Sequence, residues 1–427
     1  MTRPGGERAG GAAGDRTGPT RALVGVEEAG ADVLSACRPL PAVPVPLADA
    51  LGLVTAVPLD APDPVPPFAN TAMDGYAVRA ADTVGAPVRL RVVGTLAAGA
   101  GAGVAVGSGE AVRIMTGAPM PPGADAVVMV ERTETVEDGA VVVIGDEARP
   151  GDHVRTAGED LRAGQQVFPA GTVLQPGHLG VVASTGRTEV TVFRRARVGV
   201  LSTGDELVDG GLPLRPGQIR DSNRPTLLAL VRQAGCEPVD LGSCGDTEGA
   251  IRGALESAVT GCDAVITSGG VSVGDFDYVK TVLDELSGGS MRWMQVAVKP
   301  AKPLAFGVLG GSGGVPVFGL PGNPVSSMVS FELFARPALL AMMGHSSLHR
   351  PRVRAVADEA MPRRPDGKLH LVRVTASYGA DDRHHVRPSG GQGSHQLLAM
   401  ALANALALLP DGTGVEQGGN VDVMLLS

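Results

Sequence analysis

The amino-acid sequence predicts a multidomain α/β protein. Its parts are a central three-layer α/β/α domain with a mostly parallel sheet, an inserted all-β module, a discontinuous helical and mixed N-terminal domain, and a small C-terminal β-barrel. Three observations lead there. From Arg197 onward, short apolar runs alternate with helical patterns over short connections, as repeated βα units with right-handed crossovers do. Between Val88 and Ile144, β-type runs are separated by Gly and Pro at all-β intervals. After about Ser347 the sequence changes to short runs that suit a small barrel or sandwich.

In chain order, residues 1–20 are mostly Gly, Ala, Arg, Thr and Pro with almost nothing to bury; no apolar stretch follows the positive charges, so the expectation is a disordered tail and not a secretory signal. Residues 21–60 hold one helix, patterned by Val26, Ala29, Val33 and Leu34, then Pro39, Pro41, Pro44 and Pro46 as breakers, then a short helix over Leu47–Leu53. They pair with residues 147–195, which carry Gly158-Glu-Asp160, a short strand at Val167-Phe168 and a helix with Pro176 near its start. Residues 61–146 interrupt this domain. They open with a Pro-rich linker and the polar, turn-like stretch Phe68–Val78, and continue with runs at Val88–Leu96, Ala111–Met115, Ala126–Val130 and Val141–Ile144. At the end of one run, Thr116 reads most simply as a hydroxyl capping a turn.

Residues 196–346 form the α/β domain, with strands at Val198–Leu201, Pro238–Leu241, Ala264–Ile266, Met291–Val298, Leu304–Val308 and Val315–Phe318. Helix 224–234 has Ser222 and Asn223 as cap candidates and stops at Gly235; further helices cover 248–259, a segment from Tyr278, and 325–342 behind Asn323 and Pro324. Residues 347–427 complete the chain with runs at Val353–Val356, Leu369–Ser377, His385–Val386, Leu397–Met400, Ala405–Leu409 and Val421–Leu426.

Composition narrows the function. A length of 427 residues suggests about three domains. There is no apolar run long enough to span a membrane, so no membrane partner is expected. The net charge of −9 and an aromatic content of 3% argue against nucleic acid. Cys37, Cys236, Cys244 and Cys262 lack C-x-x-C spacing and read as small core residues in a reducing, cytoplasmic setting.

The candidate site lies where strands end. After Ala264–Ile266 come Ser268, Gly269, Gly270, Ser272, Gly274, Asp275 and Asp277, then a helix. Ligands of open α/β sheets bind outside the carboxyl ends of strands, and glycines let backbone N–H groups approach an anion. Paired acids beside such a loop suit a bridging divalent cation such as Mg²⁺. Taken alone, the loop is equally a Gly-rich turn with Asp277 as an N-terminal helix residue. The other strand exits are polar too: Asp205 and Glu206, Asp246, and Pro321-Gly322-Asn323-Pro324 followed by Ser326. Four polar exits on one sheet edge make a site. Lys299 and Lys302, fixed by Pro300 and Pro303, are singly ordinary surface cations and together an anion clamp. A Gly/Ser loop beyond them carries Arg387 and Ser394, whereas adjacent His384 and His385 would point to opposite faces of a strand and are not a metal pair.

Eight stretches, in order and covering nearly everything from residue 25, together resemble one family, the molybdopterin molybdenumtransferases of the MoeA and gephyrin E-domain type. They are Phe68 with Asn70–Val78, Arg113–Pro119, Gly123–Val128, Gly158–Asp160, Ser202–Leu207, Ser268–Gly274, Lys299–Pro303 and Gly319–Ser326. The resemblance implies an elongated homodimer of four domains, with an active site shared between subunits. It implies insertion of molybdenum from molybdate into adenylated molybdopterin with release of AMP and dependence on Mg²⁺, which Glu206 and Asp277, at neighbouring strand exits, would hold with hard oxygen ligands. A molybdopterin adenylyltransferase would be the upstream donor. By motif, Asp74, Thr116, Asp160, Glu206, Asp246 and Asp277 fall on positions used for activity; Lys299, Lys302, Ser326 and Ser394 fall near the molybdate and phosphate sites. The chain departs from the family in having Ala301 where Gly is usual and Gln295 where a lysine is frequent; relatives also commonly have Asp at Ala69 and Ser at Thr71. Two other functions fit parts of the pattern: adenylyltransfer to molybdopterin, which the β module with Asp74 and Thr116 argues against, and a non-catalytic scaffold, which has no need of the acidic set.

Overall fold

The computed structural model describes residues 22–101, 103–270, 278–311 and 313–426. Pro41–Arg194 forms one compact unit; the chain up to Leu40 and from Arg195 forms the other.

In the first unit, a six-stranded sheet runs in the order Ala126–Met129, Gly75–Val78, Glu110–Ile114, Val88–Leu96, Val141–Ile144, Thr133–Val136. The stretch 68–78, turn-like in sequence, thus holds an inner strand. Tyr76, Ala77 and Val78 are buried, and the strand is flanked antiparallel by 126–129 and 110–114. Gly75 opens it because a Cβ there would lie 2.0 Å from the Val128 carbonyl oxygen. A second correction concerns the prolines after the first helix. Ala42–Pro46 is a strand, pairing antiparallel with Glu189–Phe193. Only one edge of the segment is bonded, so Pro44 and Pro46 lose no ladder hydrogen bond by lacking N–H groups. The short helix expected at 47–53 shrinks to a 3₁₀ turn, Leu47–Asp49. The helix Pro176–Ser184 starts at Gln175, whose amide donates to His178 Nδ1 at 2.9 Å.

In the second unit, the central sheet runs Glu237–Cys244, Arg197–Thr203, Ala264–Ser268, Val315–Leu320, Pro303–Leu309, Arg292–Gln295. The first three pairings are parallel and the last two antiparallel. Helices Asn223–Gln233 and 324–342 cover one face with Leu227, Val231, Val325 and Val329. On the other face, Glu248–Gly261 and Tyr278–Leu286 contribute Ile251, Leu255, Val282 and Leu283. That makes three layers. The first helix, Val26–Ala36, also buries Ala29 and Val33 in this core, so it does not group with 147–195 as expected. The 324–342 helix changes pitch midway, with a π-helical turn at Phe331–Ala335. Its 19 residues are long and apolar enough to fit a membrane span, contrary to the expectation of no such run; mostly buried inside the protein, it is a core helix.

The run expected as one strand over 291–298 splits. Arg292–Gln295 edges the central sheet, whereas Val298–Lys299 pairs in parallel with Leu369–His370 of the C-terminal domain. There, strands Arg352–Ala357, Leu369–Tyr378, His384–Pro388, Ala405–Leu409 and Asn420–Leu425 close into a five-stranded barrel, because 369–378 pairs with both 384–388 and 405–409. The run Leu397–Met400 is not a strand but a short helix, Leu397–Ala401, burying Ala399 and Met400 while Leu398 stays exposed.

Candidate functional site

The polar residues gather in separate places, each fixed by its own local logic. In the β module, strand 110–114 runs out into Thr116, and Gly117, at φ +82°, turns the chain back. The turn brings Thr116 against Asp74 at the mouth of the inner strand. The Thr116 amide and hydroxyl both donate to Asp74 Oδ1, each at 2.7 Å. Those bonds, the backbone one first, and then the nearby Arg113 charge hold the Asp74 carboxyl below the usual carboxylate range. Arg113 is itself steadied by a 3.1 Å bond to the Gly75 carbonyl and by the Tyr76 ring. Thr116 is therefore more than a turn cap: it fixes the charge and direction of an exposed carboxylate. Asp160 lies on another turn of the same unit, with its amide bonded to the Val65 carbonyl at 3.0 Å.

The second set lies at the carboxyl ends of the central parallel strands. Thr203 ends one strand; Gly204 follows at φ +144°, and a Cβ there would sit 2.5 Å from a Glu206 carboxylate oxygen that folds back over it. Next door, the Asp246 amide donates to Asp205 Oδ1 at 3.0 Å, tying two exits together. Glu206 and Asp246 are exposed. Among the described residues no three His, Cys, Asp or Glu side chains form a metal enclosure. Mg²⁺ asks for less, since it keeps several waters and takes one or two carboxylates beside a substrate phosphate. The hard, solvent-facing oxygen donors of Glu206 and Asp246 fit that requirement. Ser272, Gly274, Asp275 and Asp277 lie outside the described residues.

The Ser268 exit meets the Pro-Gly-Asn-Pro loop. Gly269, at φ +100°, donates its amide to the Leu320 carbonyl at 3.1 Å, and Gly270 follows at φ +67°. Asn223 Nδ2 donates to both Ser268 Oγ and the Gly322 carbonyl at 2.7 Å. Pro321 is buried, Gly322 and Asn323 are exposed, and Pro324 starts the helix that buries Ser326. Asn323 caps that helix through its backbone, not its side chain.

The lysines occupy a sharp corner. The Val296 amide bonds to the Lys302 carbonyl at 2.7 Å, Lys299 and Lys302 face solvent, and Ala301 is buried at φ +80°. Gln295 sits in the preceding strand, opposite Pro303. Ser394 is brought to the α/β domain directly, because its carbonyl accepts the Val325 amide at 3.1 Å. Arg387 is exposed on strand 384–388 opposite Thr375, apart from that contact.

Two residues here escaped the sequence reading. Arg373 is buried, and its Nη2 donates to the Gly391 and Gly393 carbonyls at 2.9 and 3.1 Å, so it builds the loop that presents Ser394. Its signal was visible: in Leu369–Val374 it falls on the same strand face as the buried Leu371, an inward cation. Asn223 was taken for a cap, but Asp221 Oδ1 does that job, accepting the amides of Asn223 and Arg224 at 3.1 and 3.0 Å. His385 is clasped between Asp358 (2.7 Å) and Asp381 (3.0 Å), while His384 stacks edge-on against Tyr378, so the two rings are not partners in a metal site.

Three family profiles match the chain consecutively: "MoeA N-terminal region (domain I and II)" over residues 24–186, "Probable molybdopterin binding domain" over 199–341 and "MoeA C-terminal region (domain IV)" over 354–426. Molybdopterin molybdenumtransferase 2 of Mycobacterium tuberculosis is 41% identical over 389 residues, 89% of this chain and 93% of that one. The molybdopterin molybdenumtransferase of Haemophilus influenzae is 38% identical, over 87% of this chain and 91% of that one. The crystal structure of the Pyrococcus horikosii molybdopterin biosynthesis moea protein superposes with a TM-score of 0.80 at 32% identity, covering 95% of this chain and all of that one.

Proposed function

Since this chain belongs to the MoeA family of molybdopterin molybdenumtransferases, we propose that it inserts molybdenum from molybdate into adenylated molybdopterin, with release of AMP and dependence on Mg²⁺. It is a transferase of molybdenum cofactor biosynthesis. The observation that carries the finer reading is the edge of the central sheet, where the exits bearing Glu206, Asp246, Ser268 and Gly322 are hydrogen-bonded to one another or to a shared residue. The P–O–P link between pterin phosphate and AMP breaks when an oxygen of molybdate or of water attacks the pterin-side phosphorus, and AMP departs with the bonding pair; the two dithiolene sulfurs bond molybdenum as one molybdate oxide leaves as water with the two thiol protons. Mg²⁺ bound there supplies neutralisation of the phosphate charge; Glu206, with Asp277 by motif, would hold it. Lys299 and Lys302 hold the molybdate dianion, and Asp74, ionised by Thr116, serves as a fixed negative charge in the same chemistry. The enzyme works as a cytoplasmic homodimer and receives its substrate from a molybdopterin adenylyltransferase.

The test is to supply adenylated molybdopterin, molybdate and Mg²⁺ and follow AMP. Release that depends on molybdate and rises with Mg²⁺ is expected. In a parallel assay with molybdopterin and ATP, consumption of ATP together with no AMP release from the adenylated substrate would instead make the chain an adenylyltransferase.

A further inference from the structure

Three features sit where helix Asn223–Gln233 begins, and the reaction proposed above gives none of them a chemical role. Asp221 caps the helix. Arg224 is ion-paired with Asp209, Asp221 and Asp240, drawing together a loop, the helix start and a neighbouring strand. Between these anchors Asn223 is left free of capping duty, and its side chain reaches across to two other strand exits.

The orientation of its amide follows from chemistry. The Gly322 carbonyl only accepts hydrogen bonds, so the group facing it at 2.7 Å is the Asn223 NH₂. The second hydrogen of that NH₂ goes to Ser268 Oγ, also at 2.7 Å. An amide NH₂ accepts nothing in return, so the Ser268 hydroxyl cannot donate back to Asn223. Among the described residues no acceptor takes that hydrogen, and Ser268 is 2% exposed, at the carboxyl end of its strand. A hydroxyl that is obliged to accept on one side is a committed donor on the other.

We propose that Asn223 is a positioning residue that polarises Ser268 into a hydrogen-bond donor for an anionic oxygen of the substrate, held in place by the Arg224 ion pairs. The inference rests on the functional reading above. It predicts an asymmetry between two near-isosteric changes at one locus. Asn223→Asp keeps the shape and suits a helix start, so the fold survives. Its carboxylate, however, takes the Ser268 hydrogen for itself, faces the Gly322 carbonyl with no hydrogen to offer, and places a negative charge beside the anion. Asn223→Ala merely releases Ser268.

Binding of adenylated molybdopterin, measured without molybdate so that no turnover occurs, should weaken by at least about tenfold in Asn223→Asp, or ~1.4 kcal/mol. The variant should still fold cooperatively, with a melting temperature lowered only modestly by the lost Gly322 bond, and with molybdate added the loss of binding should appear in KM more than in kcat. If Asn223→Asp does not fold, a double-mutant cycle decides: with Ser268→Ala in place, Asn223→Ala should weaken binding no further. Wild-type affinity in Asn223→Asp, or additive losses in the cycle, would overturn the assignment. A wild-type protein that binds the adenylated pterin yet releases no AMP would count against the proposed reaction and leave this inference standing.

Discussion

The carboxylates of the β module and those of the central sheet edge solve opposite problems. Asp74 receives two hydrogen bonds from a residue 42 positions away, both on one oxygen, so its charge and direction are set before any ligand arrives. Glu206 lies over a glycine in an exposed turn, and among the described residues no group hydrogen-bonds to its carboxylate. A pre-bonded carboxylate suits a fixed electrostatic role, whereas an uncommitted one suits a cation that arrives with its substrate and must be enclosed each time. The same functional group at two sites is distinguished by what already occupies its lone pairs.

The largest effect should come from the uncommitted side. Glu206→Gln should reduce AMP release by at least about tenfold, equivalent to ~1.4 kcal/mol of barrier, and raise the Mg²⁺ concentration needed for half-maximal rate. A variant with the wild-type Mg²⁺ requirement would move the cation elsewhere. On the pre-bonded side the response should be to pH. Thr116 lowers the Asp74 pKa, so removing its hydroxyl in Thr116→Val lets that pKa rise, and the acid limb of the rate profile should move to higher pH, with the rate near neutrality largely kept. An acid limb that stays where it was would show that Asp74 does not need its charge.

A third carboxylate cluster serves as a control. Asp358 and Asp381 raise the pKa of His385. A raised folded-state pKa contributes stability below the ordinary histidine range and loses it as pH climbs through the raised value. His385→Gln should therefore melt below wild type at pH 6 and together with it at pH 9, with AMP release unaffected at either. Loss of activity on that substitution would blur the distinction between bonded carboxylates that do chemistry and those that only fasten strands.

The smallest effect belongs to Ala301. A left-handed backbone costs an ordinary residue ~1–2 kcal/mol. Ala301→Gly would relieve that but lose a buried methyl, ~0.8 kcal/mol, and restore ~0.4–1 kcal/mol of unfolded-chain freedom. These nearly cancel, so stability should change by less than about 1 kcal/mol. A larger shift in the melting curve would mean that the corner is strained in a way the backbone angle does not capture.

What could be read beforehand follows the same division. The alternating strands and helices were legible because hydrophobic period survives in the sequence, as in Val198–Leu201 and Ala264–Ile266. The inner strand Gly75–Val78 was not, because its flanks are polar for reasons of the Asp74 turn rather than of solvent exposure. The helix at Leu397–Ala401 was missed because five residues are too few to establish a period. At the site, residue types at strand exits were visible, but partners were not. Asn223 reads as a cap until Asp221 is seen to occupy that role, and Arg373 is two residues along a strand face from an ordinary leucine.

Lys299 belongs to a strand that hydrogen-bonds into the barrel, while Lys302 immediately precedes the strand Pro303–Leu309 of the central sheet. The two lysines are thus anchored to different sheets of one compact unit, so their spacing depends on how the barrel is seated as well as on the loop between them. The Ser394–Val325 bond ties the barrel to the α/β domain a second time. On the proposed reading, in which both lysines hold molybdate, a substitution far out in the barrel that shifts its seating would change which tetrahedral oxyanion is accepted while leaving both lysines in place.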